Sequence, residues 1–455
     1  MILLLLQRFK IFVAVTAAFV SALLAGLAAW LPIQEQIFIW RWVIPFSDTL
    51  TLMGRQLTLS ASERPSLVII YLAAALWFGA APIAHSGRLF VPLGLGMVAL
   101  LTAAIAVEPF LFAAVIIEIA VLVSVPFLSP PGKPAGRGVL RYLSFQTIGM
   151  PFILISGFML AGFEIGPGDQ EIVLIATAIM AIGFGILLAV FPFHTWIPML
   201  AQESRPYPTA FVFLLLPGAV TLLGLGFLDR YVWLQNAPNT SDLIQGVGVL
   251  MIVSAGIWAS VERNLARMMG FALMLDIGFS FLTIGLATLG EGGVYRGLFF
   301  ASMVPRGLSL GVWALALSGL RGAVNGFDLK DLMGLGRKYP IILTSVIVAI
   351  FCLAGIPLLA SFPTRLAVIE GLSLVAPQNA LLAILGSIGL LVGALRTLST
   401  MVTGTEDERW LVNESRILVV FLMIGVAGLL LLGFFPNLLL QFIGNLPANL
   451  GQLTP

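Results

Sequence analysis

Apolar runs long enough to cross a bilayer follow one another along almost the whole chain. A crossing helix needs about 20 apolar residues, and in hydrocarbon it satisfies every backbone N–H and C=O within its own segment. Such runs lie at Ile11–Leu31, Ser66–Ala84, Leu89–Val107, Pro109–Leu128, Leu140–Phe163, Glu171–Val190 and Pro208–Phe227. They continue at Leu243–Val261, Phe271–Leu289, Val294–Leu320, Ile341–Val375, Leu381–Val402 and Ile417–Phe442. They predict an all-α polytopic membrane protein with about thirteen transmembrane helices. Ile341–Val375 is too long for one straight crossing and contains Pro357 and Pro363, so it must break or tilt strongly. Between Gln34 and Ala61 the chain is too polar to span. Its alternating Phe38-Ile-Trp-Arg-Trp-Val-Ile44 suggests a short external hairpin.

Only 10% of the 455 residues are charged, which leaves no room for a soluble domain. The net charge of +2 is carried in loops between runs and gives no basis for a nucleic-acid partner. With two histidines, His85 and His194, and one cysteine, Cys352, the chain cannot build a haem, zinc or iron–sulfur site. No metal, no cofactor and no internal disulfide are expected. Arg8 and Lys10 stand before the first run without an A-x-A-like cleavage site, which reads as a start-transfer helix. With the N-terminus inside, Arg8, Lys10, Arg88, Arg205, Arg321 and Arg337 fall on the cytoplasmic side. Arg41, Arg55, Arg64 and Arg230 fall outside. That bias predicts a cytoplasmic N-terminus, an external C-terminus and an odd number of spans.

One stretch, Phe191-Pro-Phe-His-Thr-Trp-Ile-Pro198, breaks the pattern. Pro192 and Pro198 flank His194, and proline both removes a backbone donor and clashes with the preceding turn. A helix break is therefore expected here, and broken membrane helices often mark ion pathways. The alternative at this point is a plain helix end with a buried, satisfied histidine. Gly185-Ile-Leu-Leu-Ala-Val-Phe-Pro-Phe193 and Gly355-Ile-Pro-Leu-Leu-Ala-Ser-Phe-Pro363 are alike, each running from Gly-Ile to Phe-Pro. Each closes late in a group of about five spans. The expected organisation is residues 1–88 as N-terminal spans with the external segment, 89–228 and 229–402 as two inverted five-helix repeats, and 403–455 as a C-terminal span and tail.

The residues His194-Thr-Trp-Ile-Pro198, Glu203 and Pro206-Tyr-Pro-Thr-Ala210 resemble a motif of the antiporter-like subunits. These are the proton-translocating membrane subunits of complex I, membrane-bound hydrogenases and Mrp-type cation/proton antiporters. Asp328-Leu-Lys-Asp-Leu-Met-Gly-Leu-Gly-Arg-Lys-Tyr-Pro340 and Cys352-Leu-Ala-Gly-Ile-Pro-Leu-Leu-Ala-Ser-Phe362 resemble two further family segments. The resemblance implies two inverted five-helix repeats with broken helices, each holding a half-channel. It implies other membrane subunits as partners, the lipid bilayer around them, and protons or monovalent cations as cargo. It also implies a bacterial cytoplasmic or equivalent energy-coupling membrane. Such a subunit has no redox chemistry of its own, although its parent complex can be an NAD(P)H:quinone oxidoreductase.

Against that family pattern several charges are exchanged. Glu118 matches the glutamate of the first repeat, but the two relay lysines fall at Leu187 and Leu216. Leucine carries no proton. In the second half Asp276 stands at a family histidine, Arg306 at a lysine and Arg365 at a lysine or glutamate, with Glu370 five residues on. Arginine stays protonated, so Arg306 and Arg365 hold charge without passing protons. Intramembrane charges are usually paired, which predicts Asp276–Arg306 and Arg365–Glu370. Glu108, Arg141, Glu203 and Arg396 stand near span ends, where orienting roles are expected. Three functions remain open. The chain conducts protons over a modified path through Glu118, His194, Asp276, Glu370 and water; it is a sealed paralogue that scaffolds a conducting partner; or it is an independent solute carrier.

Overall fold

The computed structural model describes the chain apart from residues 1, 7, 31–35, 40, 41, 46–48, 53, 60–62, 130, 131, 133, 164, 165, 167, 168, 290, 291, 404–411 and 446–455. It is mostly helical. Helix α1 (Ile2–Leu5) is a single turn and α2 (Lys10–Trp30) is the first long apolar helix. Strands β1 (Gln36–Ile39) and β2 (Trp42–Pro45) pair antiparallel, as do β3 (Thr49–Leu52) and β4 (Arg55–Thr58). Next come α3 (Arg64–Ala80), α4 (Phe90–Ala106), β5 (Val107–Glu108), α5 (Phe112–Leu128) and α6 (Arg137–Leu160). Strand β5 joins β4, so the expected single hairpin is a pair of small sheets, one of them tied to the end of α4.

A first broken helix follows, α7 (Gln170–Leu187) and α8 (Trp196–Glu203), then α9 (Pro206–Arg230) and the short α10 (Val232–Gln235). Helices α11 (Thr240–Val261), α12 (Leu265–Ala287) and α13 (Gly292–Leu320) precede a second broken helix, α14 (Pro340–Ala354) and α15 (Phe362–Val375). Helices α16 (Pro377–Val402), α17 (Arg416–Phe434) and α18 (Pro436–Asn445) end the described chain. Nine of the described helices are long and apolar enough to cross a membrane, and α3, α4, α5 and α14 are shorter apolar helices. The chain is a multi-pass membrane protein.

Helix starts follow local chemistry. Proline stands in the first turn of α3, α9, α14, α15 and α16, where its missing N–H has no intrahelical partner to lose. Helix α12 starts at Leu265, six residues before the expected Phe271, because the Asn264 side chain accepts from the N–H groups of Ala266 and Arg267 at 3.1 and 3.0 Å. The expected run Ile417–Phe442 is two helices. Pro436 forces Phe435 out of the helical region, to φ −124° and ψ 66°.

The two breaks close alike. At the end of α14 the N–H of Ile356 donates to Phe351 O at 3.1 Å and that of Gly355 to Cys352 O at 2.9 Å, with Gly355 left-handed at φ 79°. At the end of α7 the N–H of Val190 donates to Gly185 O at 2.8 Å and that of Ala189 to Ile186 O at 3.4 Å, with Ala189 at φ 58°. Both are Schellman closures, which satisfy the last carbonyls of a helix. The geometric counterpart of Gly355 is therefore Ala189; Gly185, its counterpart by sequence, lies inside α7. The prolines divide by role. Pro192 and Pro357 lie in the connections, whereas Pro198 and Pro363 sit in the first turns of α8 and α15 and start helices.

Burial ranks the helices. Over their most apolar stretches 94% of α12 is inside the protein, against 72% for α9 and α13 and 17% for α17. Asp276, on α12, is thus shielded from lipid. Helices α11 and α16 meet through glycines: a Cβ on Gly386 would press on the Ile252 backbone at 2.6 Å. We expect Gly355→Ala to destabilise the protein by about 1–2 kcal/mol through its left-handed backbone alone, with more from the Cβ lying 2.9 Å from Arg365 Cδ. Gly246→Ala, in open space on α11, serves as the neutral control. Thermal unfolding in detergent distinguishes the two, and equal effects would refute the Schellman assignment.

Candidate functional site

The inner faces of α12, α13 and α15 bring Asp276, Arg306 and Arg365 together, only 4, 1 and 5% exposed. Helical periodicity prepares the α12 face. Asp276, Phe279, Ser280 and Thr283 recur at three- and four-residue intervals and line one side. Arg306 follows Pro305 inside α13, and Arg365 lies in the first turn of α15, just past the break.

Both carboxylate oxygens of Asp276 are engaged. Arg306 Nε donates to Oδ2, and Arg365 Nη2 donates to Oδ1 at 2.8 Å. Arg306 Nη2 also donates to Ser280 Oγ and, at 3.2 Å, to the Asp276 carbonyl. The Arg365 guanidinium lies 4.3 Å from the Phe279 ring centroid, a cation–π contact in a site without bulk water. Arg365 Nε and Nη1 are buried without a partner among the described residues. Two cations thus share one anion. Cys352 Sγ lies 3.2 Å from Ser361 Oγ beside them. Asp276, Thr283, Ser302, Thr364 and Arg365 line a cavity of about 10 Å³, the size of a single water centre.

The expected Arg365–Glu370 pair does not form. Five residues are about 1.4 helical turns, so the two side chains leave α15 in different directions. Glu370 is exposed while Arg365 turns inward to Asp276. Sequence reasoning also missed Ser280 and Phe279, which lie one turn from Asp276 and were findable by helical spacing.

The first half is different. Glu118 is half-buried; its Oε1 accepts from Thr147 Oγ1 at 2.6 Å, and its Oε2 is buried without a partner among the described residues. Leu187 and Leu216 are buried in the apolar core. Gln146, another residue the sequence did not flag, donates from Nε2 to the Leu187 carbonyl at 3.2 Å and so caps the end of α7. His194 sits in the 3-10 turn Phe193–Thr195, stacked on Phe191 with centroids 5.4 Å apart. Its Nδ1 is buried and unpartnered among the described residues. Among the described residues no hydrogen bond or ion pair joins Glu118 to His194. Glu118 and His194 thus stand apart from each other, whereas Asp276, Arg306 and Arg365 form one joined cluster.

Residues 152–393 match the family model described as "NADH:quinone oxidoreductase/Mrp antiporter, TM". The chain belongs to this family. The matched stretch holds both broken helices, His194 and the three clustered charges; Glu118 lies before it. NADH-quinone oxidoreductase subunit N of Nitrosomonas europaea is 25% identical over 285 residues, covering 60% of this chain and 56% of the relative. The subunit N of Cupriavidus taiwanensis is 27% identical over 317 residues, covering 67% of this chain and 63% of the relative. The chain thus spans little more than half the length of these curated relatives. In fold it is similar to a chain of the Mrp complex from Dietzia sp., with TM-score 0.79 at 17% identity, over 98% of this chain and 93% of that one. It is similar also to a chain of respiratory complex I from Thermus thermophilus, with TM-score 0.72 at 20% identity, over 97% and 99%.

Within this member of the family the cluster makes a ranked prediction. Asp276→Asn leaves two buried guanidiniums facing each other, and we expect it to lower stability by about 3–5 kcal/mol. Arg365→Met leaves the Asp276–Arg306 pair intact and should cost clearly less. Chemical unfolding of the full chain in detergent measures the order, and equal losses would contradict the shared-carboxylate geometry.

Proposed function

We propose that this chain is a membrane subunit of a complex I-like, hydrogenase-like or Mrp-like assembly and takes part there in proton translocation, with its own first half-path closed. The observation that carries this reading is asymmetry. Two broken helices close by the same backbone turn, yet among the described residues a joined charge cluster stands beside the second and not the first. Groups α4–α9 and α11–α16 each hold five helices with the fourth one broken, counting each broken helix as one. That supports inverted repeats near residues 89–228 and 229–402. Taking the four shorter apolar helices as spans gives thirteen crossings and ends on opposite sides, in a bacterial-type membrane with the N-terminus cytoplasmic.

Chemistry assigns the parts. A proton relay needs groups that both accept and release protons, and Leu187 and Leu216 do neither. In the second half the guanidiniums of Arg306 and Arg365 keep their protons and hold Asp276 as a carboxylate. The cluster in this reading is a fixed charge that shapes the field at mid-membrane while protons move in neighbouring hydroxyls, water and partner subunits. A second reading, a non-conducting scaffold for a conducting partner, is favoured by that same fixity, since none of the three clustered side chains is free to shuttle.

Proton flux into vesicles holding the intact assembly tests the closed first half. Glu118→Gln and His194→Ala are expected to leave flux within about twofold of wild type, since a relay residue would contribute roughly a hundredfold or more. Loss of flux in either variant would show a working water-bridged path through the first half.

A further inference from the structure

A cavity of about 600 Å³ opens at one end of the bundle, where α2 and α4 begin and α3 and α5 end. Lys10, His85, Arg88 and Arg205 reach it from three separate segments, and among the described residues no carboxylate lines it. Glu203, two residues before Arg205, is engaged elsewhere: its Oε2 accepts from the N–H of Gly138 at 2.7 Å and caps α6. Ser129 Oγ, also at the cavity, is buried without a partner among the described residues. Just beyond α13, burial and the charge of Arg205 push the Arg321 guanidinium below its ordinary value, so this end of the bundle is electropositive.

The loop between α3 and α4 carries His85 and Arg88 to this cavity. His85 adopts a left-handed φ of 48° and Gly87 one of 101°. The φ of Gly87 is one that L side chains rarely adopt, and the Arg205 guanidinium occupies the space where a Cβ on residue 87 would stand. Below the basic rim the walls turn apolar, with Val13 from α2, Phe90 and Val91 from α4, and Phe127 from α5. The lipid-ward side of α2 continues that surface through exposed Phe12, Val15 and Phe19.

Cations at the membrane end, hydroxyl and guanidinium donors, no competing carboxylate and an apolar wall beneath describe a receptor for a phosphodiester carrying acyl chains. We propose that this cavity holds the headgroup of an anionic phospholipid, its phosphate between Arg88 and Arg205 and its chains along α2 and α4. The site is separate from the Asp276 cluster and independent of whether the chain conducts.

Native mass spectrometry of the full-length chain released from vesicles tests this, with phosphatidylglycerol and phosphatidylcholine as competing probes. The wild-type chain should retain phosphatidylglycerol in clear excess. Each cation is worth about fivefold in affinity for an anionic membrane surface, so Arg88→Gln with Arg205→Gln should reduce retention roughly twenty-fivefold. Unfolding in phosphatidylcholine alone confirms that the double variant is folded, and Lys10→Gln gives an independent, smaller reduction. Equal retention of the two lipids by the wild-type chain would overturn the proposal without any variant. Undiminished phosphatidylglycerol on a folded double variant would overturn it too. Thermal protection by inorganic phosphate matching that by phosphatidylglycerol would reassign the cavity to a free phosphate and refute the lipid.

Discussion

A single carboxylate, Asp276, holds two guanidiniums inside a membrane protein, and the arrangement of the second half follows from that demand. An ionised side chain at mid-bilayer is costly unless it is paired and turned away from lipid. The most buried helix, α12, supplies the anion, and α13 and α15 must both approach it closely enough to deliver a cation. The approach of α15 depends on the break before it, because Arg365 occupies the first turn after the connection and packs against Gly355. Backbone closure and charge pairing are therefore one structure.

The first half shares the backbone device without the charges. Ala189 holds the same left-handed closure as Gly355, and α8 restarts at Trp196 much as α15 restarts at Phe362. Where a charge would meet the break, Leu187 packs into the apolar core and its carbonyl is satisfied by Gln146. An apolar side chain at that place needs no partner, so the first break is held by packing and hydrogen bonds alone. The contrast makes the two breaks unequal in the side chains they carry while their backbone closures are alike.

Much of this was legible in the sequence, for reasons that are local. Apolar run length reports spans, and proline reports breaks, because both act within a few residues; the breaks near Pro192 and Pro357–Pro363 are where the chain announces them. The meeting of Asp276 and Arg306 was also legible, since buried charges seek opposite ones and few were on offer. The partner of Arg365 was not. Glu370 is near in sequence, but helical geometry points it elsewhere, and the true partner comes from α12, 89 residues away in the chain. The left-handed Ala189 was hidden because nothing in an alanine marks that conformation. The early start of α12 was hidden because Arg263 and Arg267 look like the end of a loop until Asn264 is seen capping the helix.

The most direct measurement is isotope-edited infrared spectroscopy of the full-length protein in lipid, across the pH range in which it stays folded and during turnover of its assembly. A fixed Asp276 clamped by two guanidiniums gives carboxylate bands throughout, with the Asp276→Asn difference spectrum showing only their loss. A protonated-carboxyl band that rises and falls with turnover in the wild-type protein and is missing in Asp276→Asn would show that Asp276 carries protons, contradicting a fixed charge cluster.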